Sequence, residues 1–91
     1  MAFVRLAFFP GATAEHFADL AKEIGDEVPD GRLLFAAGPG DGGWQVVQVW
    51  QSKDELDAFN QAVLFPAFAR LGERGFPAPS QVTDFESAYL A

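Results

Sequence analysis

Gln48 stands between two tryptophans, Trp44 and Trp50, on one face of the alternating stretch Trp44-Gln45-Val46-Val47-Gln48-Val49-Trp50. A carboxamide among flat indoles can orient a carbonyl or a phenol while the rings offer stacking surface, which suits an aromatic ligand. The structural alternative is that the indoles anchor an interface and Gln48 bonds a neighbouring side chain. Arg5 falls on the corresponding face of a second apolar stretch, with Phe3, Ala7 and Phe9. A buried guanidinium requires an answering charge, either a carboxylate, Asp84 or Glu86, or an anionic ligand; the ion pair is favoured because buried charges are normally paired. Tyr89, the only tyrosine, is the one phenol available as a proton donor if the last strand turns Thr83, Phe85, Ser87 and Tyr89 inward. Asn60 lies close to the apolar stripe of a helix, where it lines a cavity or satisfies a local backbone group.

Other chemistries lack their residues. His16 is the only histidine and sits at the edge of a helix stripe, which reads as a solvated flank rather than a base. Gly38, Gly40 and Gly43 match the G-x-G-x-x-G spacing, but they open a strand, whereas that motif needs a helix N-terminus to receive phosphate. Glu15, Asp19 and Glu23 form a solvated helix face, and no His/Asp/Glu set converges with ligand spacing, so no metal is expected. Without cysteine there is no disulfide, zinc-thiolate site or thiol nucleophile. A formal charge of −7 repels phosphate backbones and anionic lipid, so neither nucleic acid nor membrane is an expected partner. The apolar run Phe3 to Phe9 carries Arg5 and ends at Pro10-Gly11, which reads as a strand rather than a secretion signal, and a soluble cytoplasmic protein is the expectation.

These residues need elements to position them. Ala2 to Phe9 is strand one; Thr13 caps a helix with Phe17, Leu20, Ala21 and Ile24 on one stripe, stopped by Gly25. Arg32 to Ala37 and Trp44 to Gln51 form a hairpin. Ser52 and Glu55 make a capping box for a second helix carrying Leu56, Phe59, Val63, Ala67 and Leu71. Pro66 should kink that helix. Ser80 to Leu90 is the last strand. The order βαββαβ is the split arrangement of ferredoxin-like α+β domains, and right-handed crossovers place the strands four, one, three, two with both helices on one face.

The expected single domain spans residues 1–91, and apolar residues make up 49% of it, with ten phenylalanines. Its second sheet face has no helix to cover it. Leaving on the order of 400 Å² of apolar surface wet costs about 10 kcal/mol, comparable with the whole stability of a small domain. A homodimer packed through the sheet faces removes that cost and encloses a barrel. Val47 and Val49, with Val4, Leu6 and Phe8, are assigned to the helices; Trp44, Val46, Gln48 and Trp50, with Arg5 and Phe9, are assigned to the barrel interior.

With this pattern the chain resembles the dimeric α/β-barrel superfamily that includes the antibiotic biosynthesis monooxygenases. The resemblance rests on Gly42-Gly43-Trp44, Val47-Gln48-Val49-Trp50, Ser52-Lys53-Asp54-Glu55, Phe59 and Leu64-Phe65-Pro66, and spans nearly the whole length. It implies a small cofactor-independent monooxygenase, cyclase or isomerase acting on an aromatic or polyketide-type molecule in a barrel cavity, with Gln48, Arg5 and Tyr89 as polar contacts and Trp44, Trp50, Phe35, Phe9 and Asn60 around the ligand. It also implies that haem-degrading members take a histidine from the helix after strand three, where this chain has none, so no cofactor is expected. The alternative is a non-catalytic module that binds an apolar ligand or only dimerises, consistent with the scarcity of titratable interior groups.

Overall fold

Apolar alternation and capping residues divide the chain as expected. In the computed structural model, which describes residues 1–90, the strands are β1 (Phe3–Pro10), β2 (Arg32–Gly40), β3 (Gly43–Trp50) and β4 (Gln81–Glu86). Helix α1 (Ala14–Ile24) follows β1; α2 (Lys53–Phe59), a π-helical turn (Asn60–Leu64), α3 (Phe65–Leu71) and a 3-10 turn (Gly72–Arg74) follow β3. The sheet is antiparallel in the order β2-β3-β1-β4, with the helices on one face, the ferredoxin-like α+β arrangement expected from the element order. No helix among the described residues is long and apolar enough to cross a membrane.

Local chemistry accounts for the boundaries. The Thr13 hydroxyl accepts from the His16 backbone N–H at 3.4 Å, and His16 Nδ1 accepts from the Thr13 N–H at 3.0 Å, a capping box with histidine in the place usual for Glu or Gln. The only histidine therefore ties down a helix start. Ser52 accepts from the Glu55 N–H at 3.2 Å and begins α2. β2 and β3 run further than expected, to a two-residue Asp41-Gly42 turn in which Gly42 takes a φ of +81°, open to glycine at no steric cost. Pro39 is tolerated because β2 is an edge strand. β4 is shorter than expected, ending at Glu86.

The kink anticipated at Pro66 takes a specific form. Proline has no N–H to give the carbonyl four residues back, and the preceding turn widens so that the Phe65 N–H reaches the Asn60 carbonyl five residues away. Asn60 opens this widened turn.

The face assignment of the sheet is corrected. Trp50 packs with Phe3 against Leu56 and Phe59, and Trp44 with Ala7 and Val46 against Phe17 and Phe76, so the Trp/Gln face lies beneath the helices. Val4, Leu6, Leu34, Val47, Val49 and Phe85 occupy the opposite, open face, where Leu6, Leu34 and Phe85 are 39%, 46% and 50% exposed. The physical reason is volume. A helix resting on a sheet leaves deep wedge-shaped gaps that indole rings fill, and Trp50 and Leu56 reach complete burial there. β-Branched and aliphatic side chains make the flatter open face.

Candidate functional site

Between the sheet and the helices lies a cavity of about 170 Å³. Its floor is the middle of the sheet: Ala7 and Phe9 of β1, Phe35 of β2, Val46 and Gln48 of β3. Helix α1 contributes Phe17, Leu20, Ala21 and Ile24; Phe59, Asn60, Leu64 and Phe68 close the other side, and Phe76 enters from the loop before β4. Gly25, Asp26, Glu27 and Arg32 form the rim. Rings dominate the lining: Phe76 meets Phe9 edge-on at 4.5 Å and Phe68 edge-on at 5.3 Å, and Phe17 stacks on Phe35 at 6.0 Å. Such a volume takes roughly one or two fused aromatic rings.

Two carboxamides supply the interior polarity. Gln48 Oε1 accepts the Trp50 indole N–H at 3.0 Å, and because an indole nitrogen only donates, the amide is fixed with its NH2 left as a donor. Asn60 is 7% exposed, and its Oδ1 is buried without a hydrogen-bond partner among the described residues. An unanswered buried carbonyl costs about 1–3 kcal/mol. The cavity is thus bordered by two carboxamides in an otherwise apolar interior. Trp44 Nε1 is also buried without a partner among the described residues.

Of the residues singled out from sequence, Phe9, Phe35, Gln48 and Asn60 meet at this cavity. The other four are placed elsewhere. Trp44 and Trp50 sit at the two ends of β3, where they fill the sheet–helix gaps on either side of the cavity, so their role as stacking platforms is corrected to packing. Tyr89 lies beyond the end of β4 and is 85% exposed, which corrects its assignment as an interior polar contact; of the two phases open to that strand, the one that sets Asp84 beside Arg5 is found. Phe35 faces the helices, not a barrel interior, as do Gln48, Phe9 and Arg5.

Arg5 is answered by a carboxylate, the favoured of its two readings. Nε and Nη2 donate to Asp84 Oδ1 and Oδ2, each at 2.9 Å, across directly paired positions of β1 and β4. This bidentate bond holds the Asp84 carboxyl below the usual carboxylate range and raises the Arg5 guanidinium. A carboxylate with a depressed folded-state pKa contributes stability above its unfolded value, and that contribution is lost as pH falls through the folded value. Asp84→Asn should therefore lower stability by about 0.5–1 kcal/mol at pH 7, a difference that shrinks as pH drops below about 4. Urea unfolding of both proteins at pH 7 and pH 2.5 measures it.

Sequence reasoning missed Arg32 and Phe76 at the site. Phe76 had no visible signal, since its loop has no periodicity. Arg32 had a signal only in register, because β2 carries a bulge between Arg32 and Leu34 that brings Arg32 opposite Trp50, on the helix side.

No family model and no curated protein matches the sequence significantly. Solved structures do match in shape. A "putative antibiotic biosynthesis monooxygenase" from Caulobacter crescentus superposes with a TM-score of 0.73 at 17% identity, over 97% of this chain and 91% of that one. Rv0793 from Mycobacterium tuberculosis gives 0.70 at 23% identity, over 99% and 97%. A variant of MhuD, with two manganese protoporphyrin IX groups bound per active site, gives 0.65 at 22% identity, over 98% and 97%.

Proposed function

We propose, for a chain that has the fold of the antibiotic biosynthesis monooxygenase-like proteins, that it binds a small aromatic molecule in the cavity between sheet and helices and acts on it as a cofactor-independent monooxygenase-like enzyme. The observation that carries this reading is a cavity whose interior is lined by phenylalanine and aliphatic side chains and two carboxamides, Gln48 and Asn60, the latter with a buried carbonyl that has no partner among the described residues. Asn60 Oδ1 accepts a ligand O–H, the Gln48 NH2 donates to a ligand carbonyl or phenolate, and the rings exclude water. A hydroxylated one- or two-ring aromatic answers all three features. The protein's contribution to reaction is then orientation, desolvation and a hydrogen bond to developing phenolate charge. Haem does not fit: a porphyrin far exceeds 170 Å³, and the lining holds no histidine.

A second copy completes the fold in this reading. The open face exposes Leu6, Leu34 and Phe85 beside the half-buried Val47, and an isologous dimer is the arrangement by which one chain covers its own patch. The cavity lies on the far side of the sheet from that contact, so each protomer has its own site.

One observation favours a non-catalytic binder instead: the interior polar groups, Gln48 and Asn60, do not titrate, and the ionisable residues of the lining are at its rim. A panel of hydroxylated naphthoquinols and anthrones separates the two, with thermal shift reporting binding and oxygen uptake reporting turnover. Binding accompanied by uptake supports the enzyme; binding without uptake supports the module. In either case Asn60→Leu should weaken binding of a hydroxylated panel member about tenfold while leaving its methyl ether unaffected. Equal loss for both compounds would remove the hydrogen-bonding role of Asn60.

A further inference from the structure

Arg32 is the conspicuous charge at the cavity. The chain carries six basic residues against thirteen acidic ones, and three of the basic residues are already committed to ion pairs: Arg5 with Asp84, Lys53 with Asp57 and Arg70 with Glu23. Arg32 is in no ion pair among the described residues, although it is half-buried on the cavity rim. Its position there is built by the backbone. Uninterrupted pairing of β2 would put residue 32 on the open face with Leu34; the bulge between Arg32 and Leu34 turns it to the helix side. Gly31, with φ +86°, makes the preceding turn against Glu55, whose carboxylate occupies the space a Cβ would need. The guanidinium then rests over Phe35, 4.7 Å from the ring centroid.

We infer that Arg32 selects ligands carrying an anionic group, so that the molecule bound here is an aromatic acid whose rings occupy the apolar cavity and whose carboxylate lies at the rim against Arg32. This rests on the cavity being the ligand site, as proposed above. The guanidinium is weakly hydrated, planar and supported on an aromatic face, the form of cation suited to bidentate capture of a carboxylate. Burial lowers its proton affinity. Asp26 and Glu27 share the rim and oppose an anion, but both are exposed to water, where screening weakens their repulsion. The half-buried cation has the larger effect on a group placed beside it.

The test uses two probes, 6-hydroxy-2-naphthoate and its methyl ester, titrated into the intact protein and followed by backbone amide shifts. Wild type should bind the acid about tenfold or more tightly than the ester. Arg32→Met should bind the two alike, and Arg32→Lys, which keeps the charge but not the planar fork, should retain part of the preference, which a purely structural role would not produce. Equal affinity of wild type for acid and ester, or a preference that survives in Arg32→Met, overturns the inference and leaves the cavity as a ligand site. If neither probe moves the amides of Val46, Gln48 and Asn60 at millimolar concentration, the cavity reading fails and the inference fails with it.

Discussion

Trp50→Ala should remove about 3–5 kcal/mol of folding stability, a fall in melting temperature of roughly 15 °C or more for a domain of this size. Trp50 is completely buried and packs with Phe3, Leu56 and Phe59, its ring 5.5 Å from that of Phe59. Truncation leaves a cavity at the joint between β3 and α2, and it strips the indole N–H from Gln48 Oε1. Both effects act on a single folded chain. If the indole instead faced another protomer, truncation would chiefly shift the association constant. Chemical unfolding followed across a range of protein concentrations separates the cases: a large loss independent of concentration is the result expected from packing beneath the helices.

Leu6→Glu should have the converse signature. Leu6 lies on the central strand β1, paired with Val47 and Thr83, on the face without helices, and is 39% exposed in the single chain. A glutamate there is hydrated in one protomer, but an isologous contact buries two of them, each at a cost of several kcal/mol. The dimer dissociation constant should rise about a thousandfold or more. Sedimentation should show the wild type as a dimer at micromolar concentration and the variant as a folded monomer with a lower melting temperature. Wild type sedimenting as a stable monomer would remove the dimer from the proposal and leave the cavity intact.

The pairing of these two variants marks the boundary of what the residues disclose. Thr13, Gly25, Ser52 with Glu55, and Pro66 carry local instructions, because caps and breakers act through backbone groups within a few positions. Strand order followed from crossover handedness. The phase of the sheet did not, since β1 and β3 are apolar on both faces and a period of two leaves either face free to meet the helices. Gln48 marks out one face of β3 by its polarity, but that face meets the helices, so the side chain lines the space beneath them rather than a barrel interior. Asn60 was legible as a polar residue near an apolar stripe; its burial depends on the widened turn before Pro66. Arg32 was beyond reach because a one-residue bulge reverses its face without a glycine or proline inside the irregularity. Tyr89 drew attention as the only phenol, yet chemical rarity carries no information about where strand pairing ends.

In the proposed function, ligand enters the space between sheet and helices rather than a space between two sheets. Titration of isotope-labelled protein with 6-hydroxy-2-naphthoate, followed by amide and methyl chemical shifts, addresses it directly. Binding in the cavity should shift Ala7, Val46, Gln48, Asn60 and Leu64, with Leu6, Leu34 and Val49 unmoved. Shifts confined to Leu6, Leu34, Val47 and Val49 would put the ligand on the open face and contradict it.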